Sequence, residues 1–233
     1  MRDDPLMASK RRPQKKKLVI FGTGDFAEVA HAYLCCDERF EVAAFTVNQR
    51  YIETPRLFGL DIVPFEQLES RFPPDAFGMF VAVGFSRLNQ ARTQVYRECK
   101  RRGYELISYV SPQAMRFDGV KVGDNCFIFE GNVIQPFVEI GNNVVMWCGN
   151  HIGHHAVIGD NCFIASHAVI SGRVRIGSNC FVGVNATIRD GVTVGRDCIV
   201  GAGALVLKNT ADRAVFRGLA TPPADVRSDQ LDF

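Results

Sequence analysis

Residues 122–157 read VGDNCF, IFEGNV, IQPFVE, IGNNVV, MWCGNH and IGHHAV when the chain is cut in sixes, and this register continues unbroken to Leu205. Every hexad in the stretch begins with Ile, Val or Met. A helix with about 3.6 residues per turn cannot keep a period of six on one face. A solenoid can, with a short strand and a turn in each hexad and three hexads in a coil of about 18 residues. The repeat therefore predicts a parallel β-helix over residues 111–210.

The fifth position of each hexad should also point inward, and residues 18 apart should stack in successive coils. Only Cys, Asn, Ala and Val occupy this position, and one column reads Cys162, Cys180, Cys198. Free cysteine packs as a small hydrophobe, so these thiols are predicted to fill the core, with a redox or metal ladder as the alternative. The eight cysteines include no C-x-x-C pair and follow no export signal, which favours reduced thiols over a zinc ribbon or a redox pair.

Residues 17–110 follow a different pattern. "KLVIFGTGDFAEVAHAYL" (17–34) predicts a strand, a glycine turn and an amphipathic helix, and residues 86–103 predict a second helix that stops at Gly103. Strands alternating with helices are typical of a small Rossmann-like α/β domain with a parallel sheet. The further strands are predicted at residues 40–47, 60–65, 78–84 and 104–110.

The turn from Gly22 to Ala27 has the spacing G-x-G-x-x-A between a strand and a helix. Such glycines let the backbone approach a phosphate, and the helix N-terminus favours an anion. A dinucleotide site needs an acid where the second strand ends, but the residue there is Asn48. We therefore discount NAD and predict a nucleotide-sugar or other phosphorylated ligand, with a purely structural turn as the alternative. The predicted contacts are Gly22, Gly24, Asp25, Ala27 and Asn48, with Gly84, Ser86 and Asn89 at a second strand end.

Composition and charge limit the possible classes of protein. Of the 233 residues, 47% are hydrophobic, but no apolar run reaches the roughly 18 to 20 residues that span a bilayer. The N-terminus does not read as a secretory signal, so we expect a cytoplasmic protein without membrane insertion. The basic run at residues 10–17 predicts a disordered leader over residues 1–16, with contact to nucleic acid or anionic lipid as the alternative. Residues 211–233 are predicted to form a C-terminal tail.

Four histidines lie in the hexads, at His151, His154, His155 and His167. Zinc needs three or four converging ligands, and no two of these residues are 18 apart, so we predict no metal; convergence across subunits is the alternative. His154 and His155 follow Gly153 at a corner of the coil. Because imidazole exchanges a proton near neutral pH, this pair is predicted to supply a general base, whereas a chance surface pair is the alternative.

With these features the chain resembles the hexapeptide-repeat acyltransferases that carry an N-terminal nucleotide-sugar domain. Relatives include the bacillosamine-pathway and perosamine N-acetyltransferases and the sialic acid O-acetyltransferases. The resemblance rests on the glycine turn at 22–27, "MFVAVG" at 79–84, the hexads, and "GAGALVLKN" at 201–209. It implies a left-handed β-helix, a homotrimer, and acetyl-CoA in the groove between neighbouring subunits.

The family's catalytic histidine is followed by Asp or Glu and precedes a C-V-I-G-[DE] turn, which places the base at His154. His155 replaces the acid, so the charge that would stabilise an imidazolium is missing at that position. A second histidine of some relatives falls on Phe163, for which His167 is a possible substitute. The resemblance also implies cofactor contacts, and these are Gly172, Gly201, Ala202 and Lys208.

The expected activity is the transfer of an acyl group, which the resemblance implies to be acetyl, from CoA to a nucleotide-linked amino-sugar in bacterial surface-glycan biosynthesis. The alternatives are O-acetylation of a sugar, a silent β-helix scaffold, and a metal-dependent hydratase. A second observation favours a trimer. Phe127, Phe163 and Phe181 form an outward column that would be exposed in a monomer.

Overall fold

The computed structural model describes residues 15–231, which divide into two compact units between Tyr109 and Val110. The predicted leader over residues 1–16 lies outside the described residues, except that Lys16 already belongs to the first strand. Within the described part of the chain, no helix is long and apolar enough to cross a membrane.

The first unit is an α/β layer structure around one five-stranded sheet, in the order β3-β4-β2-β1-β5. Strands β4, β2, β1 and β5 are parallel, and the short edge strand β3 is antiparallel to β4. Leu18, Val19 and Ile20 in the central strand are fully buried, as expected where helices cover both faces of a parallel sheet. The elements are β1 (Lys16–Phe21), α1 (Asp25–Cys35), β2 (Phe40–Val47), β3 (Arg56–Leu57), β4 (Leu60–Pro64), α2 (Leu68–Arg71), β5 (Gly78–Val81) and α3 (Gln90–Arg101), with 3₁₀ turns at Gln49–Tyr51 and Phe65–Gln67.

Two details of this unit differ from the sequence prediction. The second long helix begins at Gln90 and not at residue 86, because Arg87, Leu88 and Asn89 all adopt positive φ values of 52°, 51° and 64°, which a right-handed helix cannot contain. The predicted strand at 104–110 is broken: Leu106 forms only an isolated parallel bridge to Met79. Its last two residues instead form β6, which joins a sheet of the β-helix.

The second unit is a parallel β-helix built from two-residue strands. Strands three apart in sequence pair in parallel with partners 18 residues apart, as in Val133↔His151 and Val145↔Phe163. The result is three sheets, one on each face of the coil. The strands are β6 (Tyr109–Val110), β7 (Met115–Arg116), β8 (Lys121–Val122), β9 (Phe127–Ile128), β10 (Val133–Ile134), β11 (Glu139–Ile140), β12 (Val145–Met146), β13 (His151–Ile152), β14 (Val157–Ile158), β15 (Phe163–Ile164), β16 (Val169–Ile170), β17 (Arg175–Ile176), β18 (Phe181–Val182), β19 (Thr187–Ile188), β20 (Thr193–Val194), β21 (Ile199–Val200), β22 (Leu205–Val206) and β23 (Val215–Phe216).

The pairing continues beyond the predicted limits of 111–210. β6 precedes that range, and β23 pairs with β21 inside the stretch that was predicted to be a tail. After β23 the described chain has only a 3₁₀ turn at Ser228–Gln230.

The interior of the coil is closed by the first and fifth positions of the hexads. Cys126, Cys162, Cys180 and Cys198 are fully buried in the same core cluster as the strand isoleucines, which confirms that these thiols fill the core. Their sulfur atoms also contact backbone carbonyl oxygens, for example Cys162 Sγ to Gly177 O at 3.2 Å.

The fourth residue of each hexad lies at a corner of the coil, and its backbone conformation is the same in every hexad. Each of the fourteen fourth positions between residues 125 and 203 has a positive φ, a conformation that suits Gly, Asn and Asp. One corner stacks Asn125, Asn143, Asn161, Asn179 and Asp197, and a second stacks Gly131, Gly149, His167, Asn185 and Gly203. The third corner alone stacks bulky residues on successive coils, namely Phe137, His155 and Arg173, followed by Gly191.

The outward column of phenylalanines does not lie on an exposed face, so that expectation was wrong. Phe127 and Phe163 are buried and Phe181 is half-buried. Phe127 packs 4.8 Å from Phe129, and Phe163 stacks on Phe181 at 5.7 Å. A different face carries exposed apolar side chains: in the sheet of β7, β10, β13, β16, β19 and β22, the outward side chains of Met115, Val169 and Leu205 are exposed, and the half-buried Val133, His151 and Thr187 lie in the same column.

Candidate active site

The third corner of the β-helix carries His154 and His155, which were predicted from the sequence to supply a general base. His154 lies between β13 and β14, directly after Gly153. A Cβ on Gly153 would collide with the backbone of Ser171 and Gly172 in the next coil, so this position requires glycine. The tight stacking of coils fixes the path of the chain into the corner, and with it the direction of the His154 side chain.

Both histidines are held by neighbours on the coil below. The amide of His154 donates to Oε1 of Gln135 at 2.9 Å, and the ring of His155 packs on Phe137 with 4.7 Å between centroids. The two rings meet through Nδ1 of His154 and Nδ1 of His155, 3.1 Å apart. One of these nitrogens must carry the proton of that hydrogen bond. The contact occupies Nδ1 of His154 and leaves its Nε2 to face away from His155.

Nε2 of His154 faces Gly172, which lies 18 residues further along the chain. A Cβ on Gly172 would be 2.8 Å from Nε2 of His154 and also 2.8 Å from Oδ1 of Asp190. His154, Gly172 and Asp190 are therefore successive members of one column, and the side chains of the outer two both reach toward the middle residue, which has none. Gly172 was predicted to contact the cofactor, and it is buried beneath these two side chains.

The other two histidines of the β-helix lie elsewhere. His167 occupies the second corner, where its ring lies against Gly149, and His151 faces outward from β13. Within one chain, neither joins the pair at the third corner. Among residues 15–231, no three His, Cys, Asp or Glu side chains are grouped so as to hold a metal ion.

The remaining predicted cofactor residues lie near the C-terminal end of the β-helix. Gly201 follows β21, and a Cβ there would be 2.9 Å from the carbonyl oxygen of Phe216. Ala202 and Lys208 are exposed. The packing of the last coil requires glycine at position 201, whereas the side chains of Ala202 and Lys208 are exposed to solvent.

A cavity of about 970 Å³ lies in the first unit, at the carboxyl ends of its parallel strands, where ligands of open α/β sheets bind. Six of the residues predicted from the glycine turn and the strand ends line it: Gly22, Gly24, Asp25, Asn48, Gly84 and Ser86. Ala27 and Asn89 do not, and both are fully buried. Ala27 lies beneath the turn, and its small side chain lets helix α1 pack close to Gly22.

The two glycines of the turn have different roles. Gly22 has a φ of 126°, and a Cβ there would lie 2.6 Å from the carbonyl oxygen of Ala82, so the fold itself requires glycine. Gly24 has an ordinary φ of −93°, and a Cβ there would meet no atom within 4 Å. The open space beside Gly24 is the cavity.

Polar and aromatic side chains that the sequence did not single out complete this cavity. Arg50 stacks over the ring of Tyr51 at 4.7 Å, and Arg87 brings a second cation to the lining. Asn48 donates to Oε1 of Glu66 at 3.0 Å, which fixes its amide at the rim. The guanidinium groups of Arg101 and Arg102 hold the pKa of Glu98 at about 2, so this lining carboxylate is ionised but compensated.

Comparison with known proteins supports the assignment of the fold. Residues 173–208 match the family described as hexapeptide repeat of succinyl-transferase. A search of curated protein sequences finds no significant match.

Among solved structures, PerB from Caulobacter crescentus, in complex with CoA and GDP-perosamine, is 27% identical with a TM-score of 0.75 and covers 85% of this chain and 92% of its own. A variant of perosamine N-acetyltransferase from the same organism is 25% identical with a TM-score of 0.62 and the same coverage. The acetyltransferase domain of PglB from Neisseria gonorrhoeae FA1090 is 22% identical with a TM-score of 0.77, covering 88% and 100%. The chain therefore has the fold of the hexapeptide-repeat sugar acetyltransferases, an α/β unit followed by a left-handed parallel β-helix.

Proposed function

We propose that this protein transfers an acetyl group from acetyl-CoA to the amine of a nucleotide-linked amino-sugar. The observation that carries the proposal is the position of His154, whose Nδ1 is engaged by His155 at 3.1 Å while Nε2 lies over Gly172 and has no hydrogen-bond partner among the described residues. The similarity to PerB, which was solved with CoA and a nucleotide-linked amino-sugar, supports both substrates.

The chemistry assigned to His154 is that of a general base. The nitrogen of the amine attacks the thioester carbonyl, and its proton passes to Nε2. Collapse of the tetrahedral intermediate breaks the carbon–sulfur bond, and the departing CoA thiolate takes the proton from the imidazolium. An amine is a stronger nucleophile than a hydroxyl. N-acetylation therefore depends less on the general base than O-acetylation does. His155 orients His154 through the contact between their Nδ1 atoms, but an imidazole does not bring the negative charge that a carboxylate would.

The acceptor is assigned to the cavity of the first unit. Its glycine turn presents backbone N–H groups at the start of helix α1, where anions are favoured. Arg50 and Arg87 on the lining suit a diphosphate, and Tyr51 and Phe85 are exposed aromatic rings on which a nucleobase can stack. Asn48 and Ser86 supply neutral hydrogen-bonding groups for the base or the sugar.

The donor is assigned to the β-helix alone. We assign the extended pantetheine arm to the coil surface near Gly172 and Gly201, and the exposed Lys208 can pair with a phosphate of CoA. We assign no metal to this reaction, because thioester aminolysis needs only a base and a polarised carbonyl.

We further infer a homotrimer in the cytoplasm that serves bacterial surface-glycan biosynthesis. The exposed apolar side chains of Met115, Val169 and Leu205 are aligned on one face of the β-helix. The next face instead presents Lys121, Glu139 and Arg175. The apolar face is therefore the one assigned to the contact between subunits.

The test is an acetyl-transfer assay that follows release of the CoA thiol. GDP-, UDP- and dTDP-linked amino-sugars are offered with acetyl-CoA, and each is paired with the sugar that carries a hydroxyl in place of the amine. We expect turnover with at least one amine and little with its hydroxyl analogue. Preference for the hydroxyl would make the protein an O-acetyltransferase, and binding of both ligands without turnover would make it a scaffold.

A further inference from the structure

Asp190 lies opposite His154 across Gly172, and no sequence pattern predicted it to be a site residue. Oδ1 of Asp190 and Nε2 of His154 lie at the same 2.8 Å from one point, the place where a Cβ of Gly172 would be. The two atoms are therefore at most twice that distance apart. An atom bound between them, on the side away from Gly172, is within hydrogen-bonding reach of both.

Neither group is satisfied by the protein on the side that faces the gap. In the described part of the chain, the carboxylate of Asp190 has no ion pair or hydrogen bond, and Nε2 of His154 has none either. Asp190 is exposed and His154 is half-buried. Nε2 of His154 and the carboxylate of Asp190 thus face the same space, and each can accept a hydrogen bond from a bound group. His155 and Arg173 at the same corner have positive φ values, a form of backbone strain that is often found at functional sites.

The number of protons on the nucleophile connects this geometry to specificity. A primary amine carries two N–H donors, so it can donate one to Nε2 of His154 and the other to Oδ1 of Asp190. A hydroxyl has one O–H. Once that proton points at His154, the oxygen can only turn a lone pair toward the carboxylate, which is repulsive.

We propose that Asp190 is a specificity-determining residue of the acetyl-transfer site, which accepts the second N–H of an amine whose first N–H is donated to His154; this rests on the proposed function. The carboxylate also lies close to the positive charge that develops on the attacking nitrogen and then on the imidazolium. It supplies from the upper coil the negative charge that His155 cannot supply at Nδ1. The proton that leaves the nitrogen passes to His154 and not to Asp190.

The experiment measures kcat and KM for an amine acceptor and for its hydroxyl analogue with Asp190→Asn. A hydrogen bond to a charged group corresponds to a rate effect of about 10- to 100-fold, so kcat with the amine should fall by that factor. The KM for acetyl-CoA should stay within about twofold, and the preference for amine over hydroxyl should shrink. Asp190→Glu should restore part of the loss.

The matched control is Asp118→Asn. Asp118 is exposed and unpaired like Asp190 and lies in the same column two coils below His154, with Pro136 between them. It should leave both rates unchanged. In a His154→Ala background, Asp190→Asn should cost little more, because the two groups act on one nitrogen.

The outcomes separate the two proposals. If the wild-type protein acetylates no amine, the proposed function fails, and this inference with it. If the wild-type is active and His154→Ala is not, but Asp190→Asn keeps the wild-type rate and amine preference, the role of Asp190 alone is overturned. Equal losses in Asp190→Asn and Asp118→Asn would also overturn it, since they would indicate a general effect of surface charge.

Discussion

The guanidinium of Arg92 donates from Nη1 to the carbonyl oxygen of Gly84 at 3.0 Å and to Oδ1 of Asn89 at 3.2 Å. Arg92 is fully buried, which is rare for an arginine. Its partners are the two ends of the loop 84–89, which lines the cavity and contains three consecutive residues of positive φ. Backbone strain of this kind persists only where surrounding structure enforces it, and here the buried arginine does so.

Replacing this arginine tests whether the loop forms the acceptor site. We expect Arg92→Met to destabilise the protein by about 1–3 kcal/mol, because buried acceptors lose their donor. The affinity for the nucleotide-sugar should fall more than that for acetyl-CoA. Urea unfolding and calorimetric titration of both ligands measure the two effects.

Arg97→Met is the control for that variant. Arg97 lies on the same helix but is exposed, so it should change neither quantity measurably. Equal binding of the nucleotide-sugar by Arg92→Met and by the wild-type protein would show that the loop is not part of the acceptor site.

The β-helix was predictable because its period is imposed on every hexad by the same packing requirement. The first and fifth residues of each hexad point into the core in every coil, whatever the outer surface binds. The corner rule was also present in the sequence, since Asn125, Asn143, Asn161 and Asn179 recur at the position where φ is positive. Asp190 lies two steps of 18 from His154, so the repeat places both in one column, but only the structure shows that their side chains both reach toward Gly172.

Other features depend on tertiary contacts that a local pattern does not contain. The residues 86–89 read as the start of a helix, but Arg92 stabilises a left-handed turn there instead. The antiparallel strand Arg56–Leu57 is too short to carry a pattern of its own. Phe127 and Phe163 have the spacing of an exposed ladder, and their burial is decided by neighbours that the hexad register does not specify.

The two glycines of the nucleotide turn make a matched pair of variants. Gly24→Val should fold normally, because a Cβ there meets no atom within 4 Å, but it should weaken nucleotide-sugar binding roughly tenfold or more by filling the approach to the turn. Acetyl-CoA binding should not change. Gly22→Val should destabilise the fold itself, since valine is strained at a φ of 126°. Loss of both ligands in a folded Gly24→Val protein would mean that the two sites are assigned wrongly.

Thiol labelling tests the core of the β-helix. Burial raises the pKa of Cys99 to about 12, which leaves only about one thiolate in ten thousand at pH 8. A hydrogen bond with Cys162, followed by burial, raises the pKa of Cys180. Brief treatment of native protein with iodoacetamide should therefore modify the exposed Cys35 and Cys36. Peptide mapping should find no label on Cys99 or on the four stacked cysteines unless the protein is first unfolded. Rapid native labelling of Cys162 or Cys180 would contradict their placement in the core.

The trimer is tested by two valine-to-glutamate variants on different faces. Val169 is exposed on the apolar face, whereas Val157 occupies the equivalent outward position on the charged face. Val169→Glu should convert a trimer into monomers, because three buried carboxylates without partners are strongly unfavourable. Val157→Glu should sediment like the wild-type protein. A wild-type monomer at working concentration would eliminate the trimer, and a trimeric Val169→Glu would place the contact elsewhere.

The general base is tested by three substitutions at the third corner of the β-helix and by one control at the second. His154→Ala should lower kcat by about 10²- to 10⁴-fold, at the lower end of this range because an amine is already nucleophilic, and should leave the affinity for acetyl-CoA nearly intact. His155→Ala should cost less, since it removes only the orienting contact at Nδ1. His155→Asp should be tolerated or faster, because aspartate accepts the φ of 61° that position 155 requires and brings a negative charge to His154. His167→Ala, at the second corner, is the control and should be silent within one chain's site. Full activity of His154→Ala between pH 6 and 8 would remove the base from the mechanism.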